Sequence, residues 1–155
     1  MYDEITKILE RQIELYEKEY ILSLKRLSAL EEGNLDKLNE VINMEQDLSN
    51  HILNIETNRI LLLENSKFKG LRLKDIILEI DDNSIKENLL KIREKLVELA
   101  NKIKENNEMS EKHIEIKSKM SKKILDVLTG NKEFGYNEQK QKNNVNQNNL
   151  LNKKV

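Results

Sequence analysis

The chain has 155 residues, one domain's worth, with 35% charged residues, 4% aromatics, no Pro, Trp or Cys, and a formal charge of −1. Without cysteine there is neither a disulfide framework nor a thiolate metal site. The near-neutral balance argues against a nucleic-acid binder, and abundant Leu, Ile, Glu, Lys and Asn is the composition of long helices.

The first helix is expected from Tyr2 to Glu32. Its stripe is Ile5, Leu9, Gln12, Tyr16, Tyr20, Leu24, Leu27 and Leu30, widened by Ile8, Ile13 and Leu15. Steps of three and four residues mark one face of an amphipathic helix. Gly33 then offers a left-handed C-cap and Asn34 an N-cap, a break short enough for an antiparallel αα-hairpin. The second helix, Leu35 to about Asn65, carries Leu35, Leu38, Ile42, Glu45, Leu48, Ile52, Ile55, Arg59 and Leu62. Both helices run about 30 residues, ~45 Å each. Arg59 on this apolar seam is expected to snorkel or to pair with a carboxylate of a neighbouring helix.

Ser66 to Gly70 reads as a loop and Leu71 to Ile80 as a short connecting helix, because a lone strand would have no partner. Ser84-Ile85-Lys86-Glu87 has the pattern of a capping box. From there a last helix is expected to reach Leu128, roughly 67 Å long and ~20 Å longer than its partners. Its first half keeps one seam, Ile85, Leu89, Ile92, Leu96, Leu99 and Ile103. The seam then meets Asn106, Asn107, Ser110, Lys117 and Ser121, keeping only Ile114, Leu125 and Leu128 apolar. A second stripe, Met109, His113, Ile116, Met120, Ile124 and Val127, starts there, rotated by roughly 100°.

Gly130 stops this helix, and Gly135-Tyr136 follows. Residues 1–136 therefore form the expected single domain, and the Asn/Gln/Lys-rich segment 137–155 is expected to be a disordered tail. The start lacks the basic and apolar regions of a secretory signal, and the longest apolar run, Ile60 to Leu63, cannot span a bilayer. A soluble, cytoplasmic protein without membrane insertion is expected.

Catalysis finds no support in this inventory. The two histidines are His51 and His113, and the residues three before them, Leu48 and Ser110, are not the Glu of a di-iron bundle. There is no phosphate-cradling loop, no H-E-x-x-H and no nucleophile with a readable base. No enzyme, metal or cofactor is expected. The shifted stripe has the i, i+3, i+4, i+7 spacing of helix-in-groove anchors, and methionine adapts to more than one partner. It could equally be core, covered by the short helix or by a second copy. Asn106 and Asn107 either fix register across the seam or lie where it has already turned to solvent.

The run from Ala29 to Leu63 resembles the helical hairpin of FlgN-type flagellar export chaperones. The shared features are the Gly33-Asn34-Leu35 turn and the Glu56, Arg59, Leu62, Leu63 pattern that ends a Glu/Gln-rich helix. Gln12, Tyr16, the Asn106-Asn107 pair and Gly135-Tyr136 also fit, so the resemblance spans roughly Glu4 to Tyr136. It implies a cytosolic, non-enzymatic chaperone that holds the C-terminal helical segments of hook-associated (hook–filament junction) proteins. It also implies delivery to the export gate and ATPase components of the flagellar type III apparatus. The family binds clients on its C-terminal helix, which here carries Met109, His113, Ile116, Met120, Ile124 and Val127. A tyrosine near the chain end contacts the gate in some members, which points to Tyr136.

The expected architecture is all-α: an elongated antiparallel bundle of three long helices with a short connecting helix, as a monomer or weak homodimer. The alternative function is a structural coiled-coil protein that self-associates through the same stripe. A helical metalloenzyme is the reading that the missing Glu-x-x-His pairs oppose.

Overall fold

The computed structural model describes residues 1–130, which form four helices and, among the described residues, no strand. They are α1 (Tyr2–Glu32), α2 (Leu35–Glu64), α3 (Leu73–Leu78) and α4 (Asn83–Thr129). Tyr136 and the expected tail, 137–155, lie outside the described residues.

Gly33 ends α1 in the left-handed region, at φ 67°. There the Gly33 N–H donates to Leu30 O and the Asn34 N–H to Ala29 O, the paired bonds of a Schellman end. The Asn34 side chain accepts from the Lys37 N–H at 3.1 Å, so one residue pair closes the first helix and opens the second. At α4 the cap differs from the expected box. Asp82, not Ser84, is the N-cap, and its carboxylate accepts from the Ser84 and Ile85 N–H groups at 2.9 and 3.2 Å. Capping two residues earlier puts a charged acceptor on the helix N-terminus, where the backbone dipole favours it.

α2 runs antiparallel to α1, with Gln12 opposite Glu56 and Ser28 opposite Lys37. α4 runs parallel to α1: Lys102 lies over the Tyr20 ring, Asn106 meets Ser23, and Lys117 reaches Leu30. The bundle is therefore up-down-up, with α2 antiparallel to the other two long helices. α1 packs against both α2 and α4, while no α2 residue has its Cα within 8 Å of α4. The broad apolar face of α1 explains that central place. Ile5, Leu9, Leu15, Tyr16, Leu27 and Leu30 are all buried, and one helix thereby serves two partners.

The hairpin-distal end is closed by the connection between α2 and α4. Phe68 sits in the turn before α3 and is among the most buried side chains, its ring tilted against Tyr2 at 6.3 Å. Leu73, Ile76, Ile77 and Ile80 complete this plug. The sequence pattern marks Phe68 only as a loop residue.

Three expected stripe positions are exposed. Leu24 is exposed while Ser23, its neighbour, is fully buried. On the α1 wheel Ser23 and Glu19 lie at the centre of the stripe and Leu24 at its margin. Leu35 and Ile42 on α2 are also exposed.

Buried polar groups hold these helices in register. Gln12 Nε2 donates to Glu56 Oε2 at 2.8 Å, and Arg59 forks onto both Glu56 oxygens at 3.0 and 2.6 Å. Arg59 thus pairs within its own helix rather than across to a neighbour. Three residues apart on one helical face, the two side chains meet without bending the chain. Burial, with the Glu56 carboxylate close by, pushes the Tyr16 hydroxyl up to about 12, so it stays protonated.

Higher in the bundle Glu19 is buried against Glu45. Burial, and then the hydrogen bond with Glu45, raise the Glu19 pKa from 4.5 to about 9 against the pull of Arg26. Glu19 is therefore neutral near pH 7 and can donate its proton to Glu45. A carboxyl whose pKa is raised by folding stabilises the fold fully below its unfolded value, 4.5. That contribution is lost as pH rises through about 9. Urea midpoints of the wild type should fall between pH 6 and pH 9. Glu19→Gln, whose amide can still donate to Glu45, should flatten that fall.

Candidate functional site

The seam between α1 and α4 ends in a polar knot. Asn106 is buried and donates from Nδ2 to Ser23 Oγ at 2.9 Å, while Ser23 Oγ donates to Tyr20 O at 2.7 Å. One turn on, Arg26 joins all three long helices. It bonds to Glu45 of α2 and to Asn107 Oδ1 of α4, and its Nε lies 3.3 Å from Ser110 Oγ. Ser110 is itself buried. The asparagines therefore fix register, and the seam has not yet turned to solvent at this level. Six polar residues replace apolar packing here, and such a cluster is satisfied in only one alignment of the helices.

Just past the knot, α1 runs out. Lys117 Nζ caps it by donating to Leu30 O, where carbonyls lack helical partners. His113 lies beside the same helix end, its Nε2 3.7 Å from Glu31 Oε1. Beyond Lys117, α4 continues for twelve residues to Thr129, about 18 Å, and Gly130 ends it in the left-handed region. The Gly130 N–H donates to Asp126 O at 2.8 Å.

The six stripe residues divide at this point. Met109 and His113 lie beside the end of α1, Met109 46% exposed and His113 half-buried. Ile116, Met120, Ile124 and Val127 project from the overhang, 57% to 85% exposed. None of the six is core. Ile114, Leu125 and Leu128 continue the original seam and are exposed as well. Periodicity assigns them to the core, but Leu125 and Leu128 lie past the end of α1, and Ile114 beside it is 40% exposed. The overhang thus shows two apolar lines, the second interrupted by Lys117 and Ser121. Contiguous exposed apolar surface of this kind marks interaction sites in soluble proteins.

Among the described residues no cluster of three His, Cys, Asp or Glu side chains could hold a metal ion. No described helix is long and apolar enough to cross a membrane. What this bundle displays is exposed apolar surface on a scaffold held by a buried polar knot. The family model for FlgN protein matches residues 1–144, and the chain belongs to that family. FlgN proteins are the non-enzymatic flagellar export chaperones of hook-associated proteins. No curated protein and no solved structure matches the chain.

The knot should also anchor the base of the overhang. Arg26→Ala leaves Glu45 without its cation and should lower the unfolding free energy by about 1–3 kcal/mol. Amide exchange by mass spectrometry should quicken most from Asn107 to Lys117 and least around Leu89 to Leu96.

Proposed function

We propose that this chain holds the C-terminal helical segment of a hook-associated protein on the exposed overhang of α4 and delivers it to the flagellar export gate. The observation that carries this reading is the uncovered stripe on a helix that outruns its bundle. The client's apolar anchors pack on Ile116, Met120, Ile124 and Val127. Met109 and His113 form the inner end of the site beside Glu31. Ile114, Leu125 and Leu128 give a second line for a client that wraps around the helix. The family's cytosolic setting, and the lack of a membrane-crossing helix among the described residues, support work in the cytoplasm.

Holding here is burial without chemistry. A client helix that is unstructured when free must be ordered at the moment of binding. That cost moderates the affinity and leaves the complex able to hand its client on. Tyr136, beyond the described residues, is the proposed contact with the gate, placing release next to the client's docking surface in the chain.

A substitution in the middle of the stripe separates docking from folding. Met120→Asp changes an exposed residue, so its stability should stay within about 0.5 kcal/mol of wild type. The same variant should bind a hook-associated C-terminal peptide at least tenfold more weakly by calorimetry. Global unfolding of Met120→Asp, or unchanged peptide affinity, would remove the stripe from the mechanism. A mass that doubles with concentration without client would favour self-association through the same face.

A further inference from the structure

The overhang carries a charge pattern that docking of apolar anchors does not use. Between Lys112 and Gly130 stand five lysines and two carboxylates, Glu115 and Asp126, in a chain of formal charge −1. The lysines are not spread evenly. At 100° per residue Lys112, Lys119 and Lys123 fall within ~40° of one another, along the margin of the stripe next to Ile116. Lys112 and Lys123 are exposed and make no ion pair among the described residues. Lys119 meets Glu115 at 2.8 Å, but that pair is itself exposed and easily exchanged for another carboxylate. Lys117, on the opposite margin, is committed to Leu30 O.

We infer that this row selects the client by charge: the segment that docks on the stripe carries carboxylates along the flank facing Lys112, Lys119 and Lys123. The inference rests on the docking role proposed above for the stripe, and adds the chemistry of the partner. When two helices pack along an apolar line, the residues bordering it meet across the interface and set partner and orientation. Lysines spaced by seven and four residues stay on one margin over three turns, so a facing helix can answer them with Asp or Glu at the same spacing. Such pairs speed encounter and reject wrong partners more than they deepen affinity. An acidic helix is favoured over an anionic membrane because Glu115 and Asp126 interrupt the polar face, whereas a membrane-surface helix is rich in cations there.

The test is a cycle on the full chain. The C-terminal helical peptide of a hook-associated protein is titrated by fluorescence anisotropy at low salt, as it stands and with its Asp and Glu replaced by Asn and Gln. Both forms are repeated with the triple variant Lys112→Gln, Lys119→Gln, Lys123→Gln. The neutralised peptide should bind wild type about tenfold more weakly, and this difference should vanish in the triple variant and at high salt. Equal binding of both peptides to wild type overturns charge selection but leaves docking on the stripe standing. No binding of the natural peptide overturns docking, and charge selection with it. Phosphatidylserine vesicles give the remaining arm. Lysine-dependent adsorption to them, with unchanged peptide affinity in the triple variant, assigns the row to a lipid surface and overturns the proposal.

Discussion

The place where α1 stops governs the rest of this molecule. α1 is the helix that both other long helices pack against, so its last turn marks the end of the shared core. Gly33 fixes that end by adopting a conformation that residues with a Cβ rarely take, and α2 turns back from it. α4 has no such signal until Gly130 and continues through a 47-residue helix. Every apolar residue of α4 beyond Lys117 is therefore exposed, whichever line it belongs to. The exposed surface is a consequence of unequal helix length, not of a special local fold.

A helix that leaves its bundle must be held firmly at its base, or the overhang would fray back into the core. The knot of Ser23, Arg26, Glu45, Asn106, Asn107 and Ser110 supplies that hold within about two turns of the end of α1. Apolar packing could have been as stable, since buried charge pairs gain little net energy over hydrophobic replacements. A slide of one turn would leave Arg26 and Asn106 buried without partners, which apolar residues would tolerate. Here the polar residues fix which part of α4 protrudes. Glu19 fits the same economy: as a neutral acid it is a hydrogen-bond donor to Glu45 rather than a second buried anion.

Helix number, the Gly33-Asn34 turn and the long final helix were legible because each rests on local rules: spacing, capping and the absence of breakers. The exposed stripe was legible as a change of face, yet spacing alone could not say which side α1 would cover. Ser23 and Leu24 show why. Helical phase placed Ser23 at the centre, but its polarity hid it, and hydrophobicity drew the marginal Leu24 into the stripe. Phe68 escaped because a turn has no period to reveal burial. Arg59, whose place on an apolar seam suggests snorkelling or a partner on a neighbouring helix, instead pairs with Glu56 of its own helix. The parallel course of α4 along α1 follows from the α3 connection, which crosses the end of the bundle and returns the chain to its starting side. The lysine row required the stripe to be known as exposed before its flank had meaning.

Held this way, the client segment would lie at the tip of the molecule that α4 forms, far from the Phe68 plug. Loading and unloading then need not disturb the core. The most direct measurement is amide hydrogen exchange of the full chain, alone and with a hook-associated C-terminal peptide. The account predicts fast exchange from Met109 to Leu128 that slows when the peptide is added, while Leu89 to Ile103 stays slow throughout. Slow exchange across Met109 to Leu128 without peptide, unchanged by adding it, would mean that this face is already buried and would contradict the account.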